Sequence, residues 1–138
     1  MRARSLLLPF LLSGCAAVIG EVPPGLEGTR WLVEDLEGRG VMDDLQSTLE
    51  FPQPGRAAGN LGCNRFFADV RQSGAELEFG PVASTKRLCA PAVMEQEDRY
   101  AGVLEATRMV LAEGPYLFLL DAAGAKLARL TPMGAPAE

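Results

Sequence analysis

The sequence predicts an α+β fold that is mainly antiparallel β: a curled sheet of about eight short strands with one helix against it. Three observations predict it. Short segments rich in β-formers, several of them alternating apolar with polar residues, recur along residues 28–131. Glycine, proline and polar turn residues separate them at close intervals, and strands joined by short turns must pair antiparallel. One segment near the two-thirds point changes to helical period, and a single helix can cover one side of such a sheet.

The elements follow in order. Thr29 to Leu36 suits a first strand, and Glu37-Gly38-Arg39-Gly40 breaks it. Ser47 to Phe51 alternates and ends at Pro52, with a turn at Pro54-Gly55. Ala57 to Gly62 is a strand of small residues, whose glycines allow close packing or a bulge. Phe66 to Arg71 and Ala75 to Phe79 flank the turn Gln72-Ser73-Gly74. Pro91 to Thr107 is the helix: proline fits its first turn, where the missing N–H costs nothing. Val93, Tyr100, Leu104 and Thr107 share its expected apolar face, with Met94 and Ala101 beside them. Glu95, Glu97 and Asp98 lie in its first half and suit the helix dipole. Met109 to Ala112, Tyr116 to Asp121 and Lys126 to Leu130 complete the strands, and residues 132–138 read as a flexible tail.

Function classes narrow by charge. The chain has 13 basic and 18 acidic residues and no histidine. Setting aside Arg2 and Arg4 leaves 11 basic against 18 acidic residues, a net charge of −7. That sign repels nucleic acid phosphates, and no basic stripe offsets it. Without histidine the commonest general base and metal ligand are missing. No Gly-x-Ser-x-Gly, phosphate-binding glycine loop or metal motif stands in the chain. Asp43-Asp44 lacks the spaced oxygens of a calcium loop and reads as a solvated turn. Glu95 and Glu97 project about 200° apart on a helix and cannot share one site. The expectation is a protein without enzymatic activity or cofactor.

The amino terminus reads as an address. Arg2 and Arg4 precede the apolar run Leu6 to Leu12, too short at about seven residues for a span of about 20. Leu12-Ser13-Gly14-Cys15 resembles the bacterial lipobox, which implies a signal peptide over 1–14 and lipid on Cys15. Each buried methylene of such an anchor contributes about 0.8 kcal/mol. Residues 15–27, interrupted by Pro23-Pro24-Gly25, read as the lipidated N-terminus and tether. Ala16, where an aspartate would signal inner-membrane retention, favours the periplasmic face of the outer membrane by the same resemblance.

With Cys15 acylated, Cys63 and Cys89 remain, and an exported domain matures where disulfides form. The alternative is a reactive thiol or a metal ligand, for which there is neither an activating histidine nor a Cys-x-x-Cys.

Gly62-Cys63-Asn64-Arg65-Phe66, Ala83-Ser84-Thr85-Lys86-Arg87-Leu88-Cys89 and Met94-Glu95-Gln96-Glu97 with Tyr100 together resemble the META domain family, that of the heat-shock protein HslJ. Gly28-Thr29-Arg30-Trp31-Leu32 is similar to its first-strand motif, and the resemblance covers roughly residues 26–131. Ala68 stands where many members have glycine, and Arg87-Leu88 where Met-Ala is commoner. The resemblance implies an incomplete antiparallel β-barrel crossed by one helix, with no established enzymatic activity. It implies links to heat shock and novobiocin resistance. It also implies a likeness to pilotin lipoproteins, which assist secretin assembly and can hold lipid.

Each motif residue has a plain structural role to weigh against ligand binding. Trp31 is expected in the core. Asn64, at a strand–turn boundary, is expected to shape the turn. Ser84 and Thr85 are expected to bond nearby backbone. Gln96 and Glu97 are the sharper case. Glu97 leans toward the apolar face and needs a partner, for which Arg65 or Lys86 is the candidate. The functional expectation is an envelope lipoprotein that binds or helps assemble another envelope component. The alternatives are an acyl-ligand chaperone, with a cavity lined by Leu49, Phe51, Phe67 and Leu77, and a periplasmic enzyme inhibitor acting through an exposed loop.

Overall fold

A computed structural model describes residues 20–134. The signal segment 1–14 and Cys15 lie outside the described residues, as does the end of the tail. Ten strands and one helix follow in order: β1 (Arg30–Leu36), β2 (Arg39–Gly40), β3 (Thr48–Gln53), β4 (Arg56–Asn60), β5 (Arg65–Ser73), β6 (Glu76–Phe79), β7 (Ala83–Ser84), α1 (Pro91–Ala106), β8 (Met109–Glu113), β9 (Tyr116–Leu120) and β10 (Lys126–Pro132). The eight strands expected from the sequence are all present. The two others, β2 and β7, are two residues long and too short to display a period.

Eight strands pair in a ring, all antiparallel: β1, β3, β4, β5, β6, β8, β9 and β10, with β10 returning to β1. The closure is extensive, from Trp31 opposite Pro132 to Leu36 opposite Ala128. The thinnest seam is β6 to β8, with the single register pair Glu76–Met109. Two flanking backbone bonds, Leu77 N to Arg108 O at 3.0 Å and Val110 N to Ala75 O at 2.8 Å, support it. β2 adds to β1, and β7 to β5.

The alternation along β5 shows how the ring is oriented. Phe66, Ala68 and Val70 are buried, whereas Arg65, Phe67 and Asp69 face out. Successive strand residues point to opposite faces, so Phe66 and Phe67 cannot both turn inward. Phe66 wins the interior by packing edge-on against Tyr100, with ring centroids 5.7 Å apart. Phe67 is half exposed, which corrects its expected place in an interior cavity. The other three residues named for that lining, Leu49, Phe51 and Leu77, lie in the packed core. Burial of each such side chain contributes about 1.5–3 kcal/mol.

Helix α1 starts with proline in its first turn, as expected, and buries Gln96, Glu97, Tyr100, Val103 and Leu104. Of the expected face, Tyr100, Leu104 and Thr107 are buried, and the buried side extends to Gln96 and Glu97 in place of Val93. Its N-terminal half buries polar residues, and Val93 is only half-buried. Trp31 is also displaced from expectation. It is half-buried at the rim of the core, where its indole Nε1 donates to Thr29 Oγ1 at 2.8 Å.

At the amino end, Glu21 and Ala112 exchange two backbone hydrogen bonds of 2.7 Å, and Leu26 is buried. Residues 20–27, read from sequence as tether, thus pack on the domain. Beyond β10, Met133 N donates to Arg30 O at 2.9 Å.

Candidate functional site

The three motif stretches converge where the 60–64 turn, the segment after β7 and the first half of α1 meet. The turn leaves three consecutive backbone N–H groups to be satisfied, because no strand runs opposite them. Gly62 N donates to Asn60 Oδ1 at 3.0 Å, and Cys63 N to Glu97 Oε1 at 2.7 Å. Asn64 N donates to the same Glu97 oxygen. Successive amides make an anion-binding concavity, and here the anion is the protein's own carboxylate.

Asn64 is the second hub. Its Nδ2 donates to Glu97 Oε2 and to Arg87 O, both at 3.0 Å. Its Oδ1 accepts from Thr85 Oγ1 at 3.0 Å and from Arg87 N at 2.7 Å. Two donors and two acceptors are thus all used, the full capacity of a carboxamide. Thr85 Oγ1 in turn accepts from Arg65 N at 3.1 Å. The disulfide Cys63–Cys89 joins the same two segments, with Cα atoms 6.4 Å apart.

Three expectations are corrected here. Asn64 is buried and binds another segment, rather than merely shaping its own turn. Glu97 takes backbone amides and Asn64 as partners, and neither Arg65 nor Lys86 reaches it. Lys86 Nζ instead bonds Ser84 Oγ at 3.3 Å, and the Arg65 side chain faces out. Thr85, expected to bond backbone close by in sequence, bonds across to Arg65 N and Asn64 Oδ1 on another segment, while Ser84 sits within β7 opposite Phe66.

At Gln96, the residue before Glu97 on α1, the same logic recurs. Gln96 Oε1 accepts from Met42 N at 2.9 Å, and its Nε2 donates to Ser47 Oγ at 3.0 Å. Ser47 Oγ donates to Leu61 O at 2.9 Å, and Tyr100 OH to Thr48 O at 2.8 Å. Burial pushes the Tyr100 hydroxyl pKa well above 10.0. Gly62 belongs to this packing: a Cβ there would lie 3.0 Å from Leu45 Cδ2 and 3.2 Å from Glu97 Cγ.

The arrangement offers little chemistry, because its polar atoms are engaged with one another. Its surface is another matter. The Asn64–Glu97 network and the Cys63–Cys89 link together form a bracket between the 60–64 turn, the segment after β7 and α1, and a shallow groove of about 270 Å³ runs over it, with Leu61, Val82 and Met94 among its apolar lining and Lys86, Arg87 and Asp98 among its charges. Leu88, 93% exposed, is also part of its lining. Sequence reasoning missed Leu88 and the backbone of Arg87 as features of the site. An exposed leucine has the same letter as a buried one, and a main-chain group has no letter at all. Among the described residues, no cluster of three or more cysteine, aspartate or glutamate side chains could hold a metal ion, and no helix is long and apolar enough to cross a membrane.

Comparisons with known proteins agree on the architecture. An NMR structure of a protein from Burkholderia xenovorans superposes with a TM-score of 0.64 at 22% identity, covering 91% of this chain and 99% of that one. A second NMR structure gives a TM-score of 0.60 at 25% identity, covering 75% and 89%. No curated protein matches the chain. The META domain profile matches residues 24–133, which takes in every strand, the helix and the whole bracket. The chain therefore belongs to the META domain family.

Proposed function

We propose that this META domain is a non-catalytic binding or assembly module of the cell envelope, tethered to a membrane by lipid on Cys15 and serving in envelope stress or drug tolerance. The observation that carries the reading is the contrast at the bracket. Asn64 and Glu97 spend their polar atoms on internal bonds, while the segment they hold presents Leu88 to solvent. The Asn64 and Glu97 side chains are thereby occupied in holding a surface. The lipobox resemblance at Cys15 supports the envelope location, and the outer membrane's periplasmic face is favoured by Ala16.

The acyl-ligand alternative draws less support: Phe51 and Leu77 do line an open pocket of about 580 Å³, but Glu27, Gln53, Arg71 and Gln72 share its walls, and Phe67 faces out. The inhibitor alternative draws more, since an exposed loop is what it requires.

Cell fractionation tests the anchor. Cys15→Ser should leave the membrane fraction or remain unprocessed, and a variant that stays processed and membrane-bound would overturn it. Deleting the gene should change envelope integrity or drug sensitivity, and an unchanged phenotype under envelope stress would overturn the assigned role.

A further inference from the structure

Leu88 is the most exposed of the large apolar residues described, at 93%. A single exposed leucine is ordinary. What sets this one apart is the fastening of both its neighbours. On one side, Arg87 is held by its N–H and its C=O to the Asn64 side chain. On the other, Cys89 is cross-linked to Cys63. Both residues that flank Leu88 are therefore tied to one dipeptide, Cys63-Asn64.

The chain from Thr85 to Ala90 runs without a turn or bend. Arg87 turns its main-chain groups inward to Asn64, and those of Leu88 make no hydrogen bond among the described residues. The result is an extended, pre-organised edge with an unused donor, an unused acceptor and an apolar side chain between anchored flanks. A cleft that binds extended peptide by strand addition and takes one side chain in a pocket is its complement.

We infer that residues 85–90 form a substrate-mimicking loop that occupies the cleft of a serine or cysteine peptidase, with Leu88 in its primary specificity pocket. The double fastening selects a peptidase over other extended-peptide binders. A peptidase nucleophile attacking the Leu88 carbonyl carbon forms an ester or thioester and breaks the Leu88–Cys89 bond, and its proton passes to the Cys89 nitrogen. From an ordinary substrate that amine would leave. Here Cys89 stays bonded to Cys63, and the acyl side stays bound through Arg87 to Asn64. The amine thus remains beside the acyl carbon at high effective concentration. Its return attack re-forms the peptide bond and hands the proton back to the nucleophile. A loop already fixed in shape also loses little freedom on binding. Exposed Lys86 and Arg87 favour a cleft with acidic residues on the amino side of the pocket.

This inference rests on the reading of the domain as a non-catalytic binding module. The test uses the full chain, purified oxidised in mild detergent. It is titrated against a subtilisin-type and a papain-type peptidase that cleave after leucine, with a fluorogenic leucyl peptide as reporter. Inhibition is expected, with Leu88→Asp at least about 100-fold weaker at an unchanged melting temperature. Asn64→Ala should turn the loop from an inhibitor into a substrate cut at Leu88–Cys89. No inhibition of either enzyme, inhibition that survives Leu88→Asp, or rapid complete cleavage of the unmodified chain would overturn the inference. Crosslinking in intact cells separates the two readings. A specific envelope partner without peptidase inhibition leaves the module standing and removes the peptidase, whereas neither result leaves nothing of both.

Discussion

Asn64 and Glu97 meet across 33 positions of sequence, the Asn64 Nδ2 donating to Glu97 Oε2 at 3.0 Å. The other carboxylate oxygen accepts both amides of the Cys63-Asn64 dipeptide. Both oxygens are acceptors here, and a carboxamide supplies only one. Glu97→Gln is therefore expected to set an NH2 group against a donor and destabilise the fold by about 1–3 kcal/mol. Urea unfolding should show a lower midpoint with an unchanged slope.

Two glycines should respond in opposite senses. A Cβ on Gly59 would fall inside the Thr48 carbonyl oxygen and lie 2.8 Å from the Phe66 ring, with the obstacle in backbone. Gly59→Ala should cost at least about 1–3 kcal/mol. Gly102 is a helical glycine on the exposed side of α1 with nothing near its missing Cβ. Gly102→Ala should stabilise by about 0.5–1 kcal/mol. Thermal unfolding of the pair checks both signs.

The disulfide closes a sequence separation of 26. In the chain-entropy model, Cys63→Ser with Cys89→Ser should cost about 3 kcal/mol. Comparing chemical unfolding of the oxidised protein with that of the double variant measures the loss.

Tyr100 links stability to alkaline pH. The unfolded chain ionises this tyrosine near pH 10, while burial holds the folded hydroxyl protonated well above that. Its contribution is fully present below about pH 10 and is lost as pH rises toward the folded value. Tyr100→Phe should cost about 1 kcal/mol at neutral pH, with Thr48 O left without its donor. The gap between the two proteins should then shrink above about pH 10, as equilibrium unfolding across that range would record.

Much of this fold is legible in the letters. β-forming runs between turn residues located eight strands, alternation marked several of them such as Ser47 to Phe51 and Ala75 to Phe79, and Pro91 marked the start of the helix. The two-residue strands left no such trace. The helix face was read correctly at Tyr100, Leu104 and Thr107, but an apolar periodicity cannot register that Gln96 is buried too, with its side-chain amide hydrogen-bonded to Met42 N and Ser47 Oγ. A buried carboxylate visibly needs a partner, so cations were the natural candidates. The partners are main-chain amides and an asparagine, which only the three-dimensional turn brings into range. Residues of the bracket were thus named in advance, and their wiring was not.

Residue-resolved amide hydrogen exchange on the oxidised full chain tests most directly whether the bracket holds the exposed loop. The Arg87 amide, bonded to Asn64 Oδ1 at 2.7 Å, should exchange slowly, while its neighbour Leu88 exchanges near the rate of an open chain. Asn64→Ala should release Arg87 selectively and leave strands such as β10 protected. Fast exchange at both residues in the unmodified protein would contradict the account, since the loop would then be unfastened.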